Sequence, residues 1–231
     1  MKSVDELEKA LKIKFKNPEL LKMSLVHRSY LNEHRDFSLE HNERLEFLGD
    51  AVLELVVTEH LYNTYPEKAE GELTNYRSAV VNYRILAQIA QNLNLGDYLL
   101  LSKGESKDTG RARQVILANA IEALIGAIYL DQGFAIAREF IEGNVLTELP
   151  EIVAAGAYLD PKSVLQETMQ EREGITPVYK VVLESGPDHA KVFEVAVFVS
   201  AKQLGQGTGN SKQEAEVAAA ANALKNLSLT S

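Results

Sequence analysis

Through the first 146 residues apolar positions recur at the helical spacing of three to four, and after residue 160 two runs shorten to strict alternation. Residues 3 to 14 carry the helical period. Asn17-Pro18 then supplies a cap followed by proline at the first helical position, which predicts a second helix to about Tyr30. The run from His41 to His60 predicts a long helix with Leu45, Leu48, Val52, Leu55 and Val56 on one stripe. Glu43, Glu46, Asp50 and Glu54 fall on the opposite stripe, and Phe47 and Val57 project from that acidic side. NTYPEKAEGE reads as a turn-rich connection; a helix resumes near Glu70, and two further periodic segments run to about Leu95. Residues 101–113 read as a loop. Val115 to Leu130 is apolar or small on all sides, as a buried core helix requires, and another helix covers Phe134 to about Leu146.

The pattern breaks at TELPEIVAAGAYLD, residues 147–160. That places a linker at 149–159 between a helical domain, residues 1–148, and a small domain, residues 160–229. In the small domain Asp160-Pro161 opens a short helix, and strands follow at Val178 to Glu184 and Lys191 to Ser200. GQGTGN reads as a glycine-rich turn, and Ser211 to Glu214 form a capping box for a closing alanine-rich helix. The fold class is therefore an all-α domain followed by a small α+β domain of order α-β-β-β-α.

At 231 residues and 45% hydrophobic content the chain can bury one large core or two ordinary ones. The apolar run Val115 to Leu130 is short of the ~20 residues that span a bilayer, and it carries Glu122, so no membrane partner is expected. The amphipathic start shows no export signal, and the expected compartment is the cytoplasm. The absence of cysteine excludes disulfides and thiolate metal sites. A net charge of −9 argues against a nucleic-acid partner unless the acids are gathered at metal sites. Neither half is basic: residues 1–159 carry 17 Lys+Arg against 24 Asp+Glu, and residues 160–231 carry 7 against 9. No Ser-His-Asp or Cys-His arrangement stands out, and no small-molecule cofactor is expected.

A carboxylate stripe is most often a solvated helix face. Glu122 is different, being the only carboxylate of the core helix, with Asn119 one turn before it. Buried and unpaired it costs several kcal/mol, so it is protonated, paired with a basic residue, or bound to a cation. No Lys, Arg or His lies in that core run. A second acidic helix in the same domain worsens the repulsion unless a hard cation sits between them. Three or four oxygen ligands on two facing helices suit Mg²⁺, which characteristically works on phosphate esters.

HNERLEFLGDAVL resembles the signature of the ribonuclease III family, and ILANAIEALIGAIYLDQG resembles its second metal-binding helix. LVHRSY (25–30), AEGELTNYRSAVVN (69–82) and the last seventy residues fit the same family in order. The resemblance implies a helical endonuclease domain followed by a double-stranded RNA-binding domain. The implied activity is Mg²⁺-dependent hydrolysis of both strands of duplex RNA, with Mn²⁺ able to substitute, in processing of rRNA and other structured transcripts to 5′-phosphate products. Implied metal ligands are Glu46, Asp50 and Glu122, with Asn119 where Asp is commoner, and Glu43 and Glu70 match further acids near the cleavage site. Asp50 and Glu122 are the implied catalytic pair. Implied RNA contacts are Ser163, Gln166, Glu167 and Gln170 on one helix face, His189 in GPDHAK, and Lys212 at a helix start. Lys212-Gln213 departs from the two consecutive lysines usual in the family. The loop at 101–113 is an implied phosphate contact. Phe47 implies a homodimer contact. The alternative is a duplex-RNA-binding protein with weak or no cleavage, for which Asn119 is the motive; a structural RNA-associated protein is a more distant one.

Overall fold

The computed structural model describes residues 3–156, 160–187 and 191–228. The chain divides into two compact units, residues 1–158 and 159–231. The first is built from α1 (Val4–Leu11), α2 (Pro18–Ser24), α3 (Arg28–Glu33), α4 (Glu43–Thr64), α5 (Glu70–Val80), α6 (Tyr83–Asn92), α7 (Arg111–Gln132), α8 (Phe134–Asn144) and α9 (Leu149–Ala154). The axis of this unit is α7, which packs against α4, α6, α8 and α2. By length and composition α7 could cross a membrane, yet Ile121, Leu124, Ile125 and Ile128 are wholly enclosed by the surrounding helices.

Local chemistry sets the element ends. Ser3 and Glu6 cap α1 reciprocally, and Asn17 accepts the Glu19 amide ahead of Pro18. The helix expected to continue to Tyr30 stops at Ser24. The backbone there leaves the helix to bond Leu100: Leu100 N donates to Leu25 O at 2.9 Å and His27 N to Leu100 O at 3.1 Å. His27 then caps α3 through its ring nitrogen.

Burial on α4 is rotated from the predicted stripe. Leu45, Gly49, Val52, Leu53, Val56, Val57 and Leu61 are buried, whereas Leu55 is exposed and Leu48 is half-buried. The buried face is centred near Gly49 because α7 packs there, and a glycine adds nothing to an apolar count. The expected linker also shortens. Residues 149–154 form α9, and Leu149 and Ile152 belong to the helical core.

The second unit holds α10 (Pro161–Glu173), β1 (Val178–Ser185), β2 (Val192–Val199), β3 (Lys202–Gly209) and α11 (Lys212–Ser228). Its strands form one antiparallel sheet in the order β1-β2-β3. Leu165 and Met169 of α10 and Ala215, Ala219, Ala220 and Ala223 of α11 close over Val195, Val197, Val199 and Leu204. GQGTGN is the end of a strand, not a turn. Cβ atoms at Gly205 and Gly207 would fall 2.6 Å from the Ala219 carbonyl oxygen and 2.2 Å from the Ala219 nitrogen. The glycines are there because the alanine face of α11 rests directly on the β3 backbone.

Candidate functional site

The acids meet where α4 crosses α7, and the crossing is a backbone-to-backbone contact. A Cβ at Gly49 would fall 1.7 Å from the carbonyl oxygen of Glu122, and one at Gly126 would fall 2.2 Å from that of Leu45. Gly49 stands between Glu46 and Asp50, so the close approach carries both toward Asn119 and Glu122. Burial pushes the Glu122 carboxyl up to about 7, and Asp50 and then Glu46 add to the shift. Glu46 is raised as well, by burial first and then by Glu43, against a hydrogen bond from Asn119 that lowers it; Asp50 raises it further. Among the described residues no basic side chain acts on Glu122 or Glu46. Among the described residues no three carboxylates draw close enough around one point to hold an ion as they stand, so Glu46 and Asp50 of α4 face Glu122 of α7 without forming a closed cage. The donor set still fits a hard cation: three carboxylates and an amide carbonyl, all oxygen, one of them the half-buried Glu122, which has no cationic partner among the described residues.

Glu43 borders this group. It lies 3.6 Å from an Arg28 guanidinium nitrogen and 3.8 Å from His41 Nδ1. Glu70 stands apart at the start of α5, where its carboxylate accepts from Thr74 and lines a cavity of about 430 Å³ with Thr58, Tyr62, Leu73 and Arg77. Phe47 is 82% exposed.

In the small unit Asp160 caps α10, accepting the Ser163 amide at 3.1 Å and the Ser163 hydroxyl at 2.9 Å. Ser163, Gln166, Glu167 and Gln170 all lie in exposed positions. Ser211 accepts the Glu214 amide, but the Glu214 carboxylate receives the amide of Asn210, one residue earlier than a capping box places it. Lys212, the first residue of α11, reaches Glu184 of β1. His189 lies outside the described residues.

Comparison with known proteins agrees with this division. Residues 17–149 match a ribonuclease-III-like family model, and residues 161–227 match the double-stranded RNA binding motif. The chain is 49% identical over 222 residues to Ribonuclease 3 of Borreliella afzelii, covering 96% of this chain and 90% of the relative. It is 42% identical over 230 residues to Ribonuclease 3 of Listeria monocytogenes serovar 1/2a, covering 98% and 99%. The chain belongs to the ribonuclease III family. It is an endoribonuclease with a double-stranded RNA-binding domain. A solved nuclease domain of ribonuclease III from Campylobacter jejuni is similar at 41% identity and a TM-score of 0.58, covering 64% of this chain and 99% of that one.

Two features of this chain escape a reading of periodicity. Gly49 and Gly126 assemble the acids without contributing a functional group; a glycine at a helix crossing leaves no apolar or charged mark, although Gly49 sits inside the signature. Arg28 and Arg111 both line a cavity of about 630 Å³, together with His27, Ser29, Asn32 and Glu105. Burial lowers the His27 pKa there. LVHRSY contains Arg28 and His27, but only the fold brings them beside Glu43. The loop expected at 101–113 ends at Gly110, where α7 begins, and is partly ordered by Ser102, which accepts the Glu105 amide, and by a short 3₁₀ turn at Glu105–Lys107.

Proposed function

We propose that this ribonuclease III acts as a Mg²⁺-dependent homodimer that hydrolyses both strands of duplex RNA, leaves 5′-phosphates, and matures rRNA and other structured transcripts in the cytoplasm. The observation that carries the metal reading is Glu122, half-buried, facing Asp50 and Glu46, with no cationic side chain among the described residues acting on it. Glu46, Asp50, Glu122 and the Asn119 carbonyl would hold the ion, with Mn²⁺ as a substitute. When bound, such an ion supplies an activated water and stabilises charge on the departing oxygen. The residues themselves orient and exclude. The Gly49–Gly126 crossing fixes the spacing of α4 and α7, the Asn119 amide bonds the Glu46 carboxylate, and partial burial keeps the surroundings of Glu122 poor in water.

Glu43 and Glu70 are assigned to the borders of the cleavage site, and Ser163, Gln166, Glu167, Gln170, His189 and Lys212 to the RNA face. A dimer is supported by a stripe on α4 that its own unit leaves uncovered: Phe47 is 82% exposed, Leu55 57% and Tyr62 72%. The Campylobacter jejuni nuclease domain is described as having a region involved in dimer formation. The test is Glu122→Gln. It should abolish cleavage in Mg²⁺ while leaving duplex binding intact, because it removes charge from the ion site and no RNA contact. Normal turnover by this variant would refute the site.

A further inference from the structure

The ammonium of Lys212 is already occupied. Its Nζ lies 3.2 Å from Glu184 Oε1 and 5.6 Å from the centre of the Phe193 ring. Glu184 and Phe193 are direct partners across β1 and β2, so both project from one face of the sheet. The ammonium is therefore held by a carboxylate and a ring face together. The start of α11 rests on the end of β3, where a Cβ at Gly209 would fall 2.6 Å from the Ala215 nitrogen. Lys162, near the start of α10, is engaged in the same manner by Glu216 at 2.6 Å. Gln213, next to Lys212, adds no second positive charge.

We propose that Glu184 masks Lys212 and thereby sets the affinity of this domain for duplex RNA. A backbone phosphate reaching Lys212 meets the Glu184 carboxylate on the same nitrogen, so binding must break one attraction and bring two anions together. The inference rests on the assignment of Lys212 as an RNA contact. Exposed ion pairs are weak, so the expected effect is modest: Glu184→Gln should tighten duplex binding about three-fold at low salt. The gain should shrink as salt screens both charges.

The test is fluorescence anisotropy of a labelled RNA duplex with the full-length protein, without divalent cation so that no cleavage occurs. Wild type, Glu184→Gln, Lys212→Ala and the double variant are compared across a salt series. Masking predicts that the gain from Glu184→Gln disappears in the Lys212→Ala background. An equal gain in both backgrounds would mean a general charge effect and would overturn the proposal. Weakened binding by Lys212→Ala with no gain from Glu184→Gln would leave the RNA contact standing and overturn the masking alone. Unchanged binding by Lys212→Ala would remove the contact and the proposal with it.

Discussion

Glu122 shows how a residue assigned to the ion site can weigh against the fold that holds it. Its carboxyl, pushed up to about 7, binds a proton more tightly folded than unfolded. Its contribution therefore favours the fold fully below about pH 4.5 and is lost as pH rises through 7. Without divalent cations, Glu122→Gln should thus stabilise the protein at pH 8.5 by on the order of 2 to 3 kcal/mol and add little at pH 4.5. Urea denaturation in chelator at the two pH values measures this, and an equal gain at both would show that Glu122 is not the strained group. Asn119 offers a milder case. Its amide bonds Glu46, and its carbonyl can serve a cation with one negative charge fewer than Asp would bring. Asn119→Asp should lower the half-maximal Mg²⁺ for single-turnover cleavage roughly ten-fold, equivalent to about 1.4 kcal/mol. Coincident titration curves would place Asn119 away from the ion.

At the scale of elements, the site depends on two helices touching through glycine. Gly126→Ala would drive a methyl group into the Leu45 carbonyl, and α4 would have to lift off α7 along the length that carries Glu46 and Asp50. Overpacking of this kind costs about 1 to 3 kcal/mol or more, and the loss of cleavage should exceed what unfolding explains. A variant that stays folded by circular dichroism and cleaves normally would show that the spacing is not critical. The sequence displays much of this arrangement and conceals a specific part. The acids on α4 and the isolation of Glu122 are visible from period and composition, because charge on a helix face needs no partner to be noticed. The rotation of burial toward Gly49, the exposure of Leu55, and the strand at Gly205 to Gly209 are not, because each is decided by a neighbour that approaches a residue without a side chain. The early end of α2 was hidden for a similar reason: its competitor, Leu100, lies more than seventy residues away.

At the scale of the whole molecule, the two units divide the work. Every assigned metal ligand lies in the helical unit, and the assigned groove contacts lie in the α-β-β-β-α unit. Removal of the second unit should therefore cost binding and not chemistry, but the point of truncation matters. Ending the chain at residue 148 would delete Leu149 and Ile152 from the helical core, whereas ending it after Gly156 keeps α9 whole. Burial of two such side chains contributes about 1.5 to 3 kcal/mol each, enough to separate a stable protein from a marginal one. The chain ending after residue 156 should sediment as a dimer, cleave duplex RNA at low salt, and lose activity steeply as salt rises, since charge attraction to phosphates would have to hold the substrate alone. The chain ending at 148 should melt well below it. If the longer truncation is inactive at every salt concentration while folded and dimeric, the second unit does more than hold the substrate, and the division of labour drawn from the two folds is wrong.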